Sequence, residues 1–320
     1  MIDFRYHLVS IISVFLALAV GIVLGAGPLQ ANIGDQLSDQ VAALRTEKQA
    51  LNDKLTVSEK LVDASDEYAA AVQPRVVRGR LTGHRVVLVV LPSADGTMVT
   101  NLETVVPQSG AALTATVTLS PDWFDPTQSA DRGQAARAAA AALGLGSTAT
   151  GDALLLQVFT YLTVSTSSTS AAGATGTPAQ RSAALKVLVD ANLLDSTAAD
   201  LAPSDLAVVV SGDYAGSDAV VSARSDAVRS LVTSLAGASR ATVVAGGETV
   251  AAAGQAVTSN AVQAVREKSD TAQIVSTVDH ARAGEGPATV VLAVEGALDE
   301  KIGHYGVSAG ATDKVPRVLP

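Results

Sequence analysis

The sequence has no cysteine, one tryptophan and two methionines, and its aromatic residues amount to 3%. The missing thiol excludes disulfides, cysteine-ligated zinc, thiol nucleophiles and iron–sulfur clusters together. It leaves the redox compartment open, since an exported chain can lack disulfides. Charge is scarce as well: 17% of the 320 residues are charged, and the formal net charge is −9. An acidic chain has no overall field that attracts a phosphate backbone, which argues against general nucleic-acid binding. Against these shortages stands an excess, with 48% hydrophobic residues and a mean hydropathy of +0.32. The apolar weight is therefore Ala, Val and Leu, and a largely disordered or fibrous chain is excluded. The length is long for one compact domain and short for three.

The excess is concentrated first at the N-terminus. From Leu8 to Ile33 there are 26 residues without a charge, centred on LVSIISVFLALAVGIVLGA. About 20 apolar residues in a helix cross the ~30 Å hydrocarbon core. Residues 1–30 therefore read as a single transmembrane anchor. A cleaved signal peptide is the rival, with Gly25-Ala26-Gly27 as a small-residue site. The weakly basic start, the length of the run and Pro28 directly after that site favour retention. Arg5 and the terminal amine precede the run, while Asp35 and Asp39 follow it. The bias places the N-terminus in the cytoplasm and the bulk of the chain outside it. Ser13, Ala17, Gly21 and Gly25 fall on one ridge, and Gly21-x-x-x-Gly25 is a close-packing motif for a second helix.

Residues 31–73 change pattern. Leu37, Val41, Leu44, Lys48, Leu51, Leu55, Ser58 and Val62 alternate by four and three, a heptad seam weakened at Lys48 and Ser58. The flanks are polar, which suits a coiled coil of two or more chains; about 33 helical residues would reach ~50 Å. The competing reading folds the same stripe back onto a globular core. Pro74 is expected to end the helix. A basic knot follows, with Arg75, Arg78, Arg80 and Arg85 close to His84. It suits either contact with an anionic head group or wall polymer, or a solvated hinge.

From residue 74 to 320 the pattern alternates strand and helix. Val86–Leu91, Ala115–Leu119, Leu206–Val210, Thr242–Ala245, Ile274–Val278 and Thr289–Val294 read as buried strands. Helices are expected over 96–106, 131–143, 151–162, 179–191, 217–236 and 257–268. This predicts an α/β domain with a mostly parallel sheet, interrupted by a low-complexity loop near 163–180. Enzyme motifs fail. Gly144-x-Gly146-x-x-Ala149 follows a helical stretch, where a dinucleotide fingerprint must follow a strand. There is no P-loop, no nucleophile elbow and no HExxH. Gly246-Gly247-Glu248 reads as a turn after a strand. Metal ligands are sparse: His7, His84, His280 and His304 are far apart, and Met98 is the only internal methionine. His7 and Met1, beside Asp3 at the membrane entry, are the weak candidates for a metal in an oligomer; otherwise His7 is an interfacial polar residue. No catalytic or cofactor-binding residue emerges, and an enzyme is not expected.

The start MIDFRYHLVSIISVFLALAVGIVLGAGPL and the tail Gly303-His304-Tyr305-Gly306 resemble an actinobacterial envelope family. It is the copper transport protein B family, MctB, which includes the division-associated SteB proteins. The order of anchor, coil and α/β domain is also similar. The resemblance implies copper export or homeostasis, with copper as cargo and no family ligand set to match here. It also implies a mycobacterial-type outer membrane as an alternative location to the cell membrane. A second implication is a division scaffold that links a cytoplasmic partner to a cell-wall hydrolase. The residues themselves predict a homo-oligomer through span and coil. Their strands do not alternate as those of a membrane barrel do.

Overall fold

The computed structural model describes residues 4–26, 28–165, 176–247 and 257–317. The chain divides into two compact units, Met1–Ala64 and Ser65–Pro320. The first consists of α1 (Phe4–Ala26) and the leading part of α2 (Pro28–Val77). In α1 the Ser13 hydroxyl is satisfied within the helix, its Oγ donating to the Val9 carbonyl at 2.9 Å. Phe4–Gly25 is long and apolar enough to cross a membrane.

The second unit opens with the end of α2 and continues through β1 (Arg85–Val90), α3 (Gly96–Gln108), β2 (Ala112–Leu119) and two short 3-10 turns, Pro121–Trp123 and Pro126–Gln128. Then come α4 (Ser129–Leu143), α5 (Gly151–Thr163), α6 (Pro178–Asp190), β3 (Leu194–Ser196), β4 (Leu206–Val210) and β5 (Tyr214–Gly216). The remainder is α7 (Asp218–Ala238), β6 (Ala241–Ala245), β7 (Val257–Ser259), α8 (Ala261–Arg266), α9 (Ser269–Ala272), β8 (Ser276–Val278), α10 (Gly286–Leu298) and β9 (His304–Tyr305).

Seven strands form one sheet in the order β3-β2-β1-β4-β6-β8-β9, all parallel except β3 against β2. β5 and β7 form a separate antiparallel pair. The central strands are buried on both faces, as their unbroken apolar runs require. Along β1 the pleat sends Val86, Leu88 and Val90 into one core with Met98 and Leu102 of α3 and Val290, Val291 and Val294 of α10. Val87 and Val89 enter the opposite core with Val158 and Phe159 of α5 and Leu231 of α7. The two faces thus have separate helical covers. At the base of the sheet, Asp205 ties β4 to β1: it accepts the Arg85 N–H at 2.7 Å and lies 2.6 Å from His84 Nδ1.

Four sequence expectations are corrected. Thr289–Val294 is not a strand but the middle of α10, which is buried almost all round. An all-apolar helix shows no 3.6-residue period, so pattern alone cannot tell it from a buried strand. Pro74 does not end α2, which continues to Val77. Val77 is fully buried there, and Arg80 Nε donates to the Val76 carbonyl at 3.1 Å, supplying a partner at the helix end. The strand expected at Ile274–Val278 is confined to its last three residues. The helix expected over 257–268 starts at Ala261, after β7.

Candidate functional site

Open parallel sheets bind ligands beyond the carboxyl ends of their strands, where the strand order reverses. Here that place lies between β1 and β4, and it is filled by backbone. Ala94 bridges to Gly212, and a Cβ on Gly212 would fall inside the main chain of Ser93 and Ala94. The surrounding polar groups are structural. Asp95 caps α3 through the N–H groups of Thr97 and Met98. The Met98 bond chiefly holds its carboxyl below the usual range; burial opposes it, while Thr97 and Arg282 reinforce it. Ser211 Oγ accepts the Ala261 N–H at 2.8 Å, and Asn260 caps α8 while donating to the Gly247 carbonyl at 3.1 Å. These groups serve helix ends and turns, and they assemble no nucleophile–base pair. Glu248 lies outside the described residues. Gly144 closes α4 as a left-handed cap, consistent with no dinucleotide loop there.

The tail motif builds a clasp. β9 adds to the edge of β8, and the turn after it is fastened to Asp279, whose side chain is 1% exposed. That carboxylate takes Arg266 Nη1 at 2.6 Å, the Val307 N–H at 2.8 Å and the Ser308 N–H at 2.9 Å. Burial works to raise its pKa; Arg266 and the two N–H groups outweigh burial and hold it below the ordinary value. Arg266 also donates to the Tyr305 carbonyl at 3.0 Å and to Thr277 Oγ1 at 2.8 Å. Gly306, at φ +135°, passes so close to the Asp279 carboxylate that no side chain fits. His304 Nδ1 is 3.0 Å from Thr277 Oγ1, and burial, then the nearby Arg266, lowers its pKa. Sequence reading recorded this tail as a family mark and missed its role. Arg266 and Asp279 are far enough apart in sequence that only the fold pairs them.

Metal ligands stay dispersed. No cluster of three or more His, Asp or Glu suited to a metal occurs among the described residues. Met98 is buried in the core, His7 is exposed on α1, and Met1 lies outside the described residues. His280 is buried with Nδ1 lacking a hydrogen bond, 3.8 Å from Asp279 Oδ1, while Nε2 stands 4.0 Å from Glu285 Oε1.

The helix-packing residues Ala17, Gly21 and Gly25 lie along an exposed α1, with open space where a Cβ would stand on either glycine. The seam residues Leu37, Val41, Leu44, Leu51, Leu55 and Val62 are all exposed in the single chain. Of the basic knot, Arg80 is engaged with Glu295 at 3.2 Å, and His84 with Asp205. Arg75, Arg78 and Arg85 form no ion pair among the described residues, and Arg75 and Arg78 are exposed.

Comparison with known proteins agrees with this layout. The family model described as "Copper transport outer membrane protein, MctB" matches residues 1–316. Proteins named "Copper transporter MctB" from Mycobacterium bovis and Mycobacterium tuberculosis are each 29% identical over 97% of this chain and 98% of their own length. One of the same name from Mycobacterium leprae is 29% identical over 98% of each chain. With the match running from the apolar helix through the β9 clasp, the chain belongs to the MctB family.

Proposed function

We propose that this protein takes part in copper transport or homeostasis as a non-enzymatic, single-pass envelope protein, N-terminus in the cytoplasm. The observation that carries the reading is the family match over nearly the whole chain, together with the copper-transporter name of its relatives. The chemistry of the chain shapes how it would act. Cu(I) prefers thiolates and thioethers and Cu(II) clustered imidazoles, and one copy supplies neither. Copper is therefore cargo of an assembly. Several α1 helices, packed through Ala17, Gly21 and Gly25, would bring copies of His7 and Met1 to one membrane face. The seam of α2 would hold the copies together, and Arg75, Arg78 and Arg85 would meet anionic head groups or wall polymer.

The test is a copper titration of the full-length chain in lipid nanodiscs against a competing chelator, paired with copper tolerance of a deletion strain. Saturable binding that His7→Ala abolishes, with lowered tolerance on deletion, is expected. No binding and unchanged tolerance would sink the reading.

A second reading is favoured by the exposed seam itself: a scaffold that pairs through α2 and connects a cytoplasmic partner to a cell-wall hydrolase. Its signature is disturbed septation with normal copper tolerance on deletion, and loss of partners from a pull-down when Leu44 and Leu51 become Asp.

A further inference from the structure

Arg224 on α7 is unlike the other enclosed arginines. Arg132, Arg181, Arg229 and Arg266 each hold a carboxylate. Arg224 has no hydrogen bond and no ion pair to any described residue, and its Nε is buried without a partner. Its guanidinium carbon lies 4.4 Å from the centroid of the Phe124 ring and 5.3 Å from that of Tyr214. Two rings hold the planar cation in place and give it no acceptor. The rings attract the cation through its face, while its N–H groups meet no acceptor among the described residues.

Arg224 lies in a groove between α7 and the two 3-10 turns that follow β2. The groove is a cavity of about 690 Å³ walled by Pro121, Phe124, Pro126, Val220 and Ala223. It adjoins a second cavity of about 340 Å³, the two sharing Phe124 and Ala227, with Trp123 in the second. Val220 is 57% exposed, an apolar side chain in water at the entrance. Two carboxylates also line the groove, and both are occupied. Asp152 takes Arg132 in a bidentate pair at 2.8 and 3.0 Å. Asp125 accepts the N–H and hydroxyl of Thr127 at 2.8 and 2.7 Å. The groove therefore offers apolar walls, the size of a small-molecule site, and one preset but unanswered cation.

We infer that this groove binds a small carboxylic acid carried on an apolar body, its carboxylate taken by the Arg224 guanidinium and its body by Phe124, Val220 and Ala223. This site does not depend on copper or on the coil.

Trp123 is the sole tryptophan, so its emission reports on the site directly. The full-length chain in nanodiscs is titrated with 4-cyclohexylbutyrate and, separately, with the neutral 4-cyclohexylbutanol, with empty nanodiscs as the partition control. A saturable change in Trp123 emission is expected for the acid, at least tenfold tighter than for the alcohol. Arg224→Gln is expected to erase that preference, and Arg224→Lys to keep part of it. Ala227→Phe, which fills the groove and leaves the arginine, is expected to abolish binding of both. The inference is overturned if the acid gives no saturation, if acid and alcohol bind alike, or if Arg224→Gln, with unchanged thermal unfolding, binds the acid as tightly as the parent chain.

Discussion

The two units use the same aliphatic residues in opposite ways. Within residues 4–64 the large apolar side chains, from Phe4 through Leu24 and from Leu37 through Val62, stand exposed. Beyond Tyr68 only Val189, Val220, Ile274, Val307 and Val315 remain so among the described residues, while the strands of the main sheet are closed on both faces. A contiguous apolar stripe is uncommon on the surface of a folded monomer, and it suits the lipid and helix contacts proposed above. The difference teaches that the first unit keeps its hydrophobicity on the surface, where the proposed association would use it, while the second closes its own into a core. Substitutions should separate the two.

The largest effect on the second unit is expected at the clasp. Asp279→Ala leaves Arg266 a buried cation without its carboxylate, which costs about 3–5 kcal/mol. Chemical denaturation should read that loss, and limited proteolysis should cut first after Tyr305. Next comes Gly212→Val, which forces a side chain into the backbone after β1 and costs about 1–3 kcal/mol by overpacking; a fall in the thermal midpoint checks it.

Acid should loosen the same clasp in two stages. His304 has a depressed pKa in the fold, so the unfolded chain binds its proton first, and stability falls as pH drops below about 6.5. Asp279 is also depressed, so its contribution is intact above the ordinary value of 3.8 and is lost as pH falls through the lower folded one. A midpoint that is flat from pH 7 to 5 and unchanged by His304→Gln would refute the first stage. Smallest in stability, and sharpest for the comparison, is Leu44→Asp with Leu51→Asp. The second unit should unfold within about 0.5 kcal/mol of the parent, as exposed positions do, while sedimentation shows loss of self-association. A large stability loss would instead place the seam in a core.

What could be read from sequence follows from how local each signal is. Val86–Leu91, Leu206–Val210 and Thr242–Ala245 announce buried parallel strands by themselves, and α3 through α7 lie close to their expected spans. β3 and β9 did not show, because strands of two or three residues are made by their neighbours: β9 exists because Asp279 and Arg266 fasten the turn behind it. Thr289–Val294 misled because burial on every side removes the helical period. Arg224 carried no signal at all, since its peculiarity is the partner it lacks, and a missing partner is visible only in three dimensions.

The two-residue strand β9 also has a consequence in time. The edge of β8 stays open until Tyr305 has been made, 27 residues after Val278 completes that strand. At the usual 5–20 residues per second that delay is roughly one to five seconds. Throughout it an unpaired parallel edge is available to any passing strand. The Ser276–Val278 edge is thus the place where an unfinished copy of this chain is most open to wrong pairing.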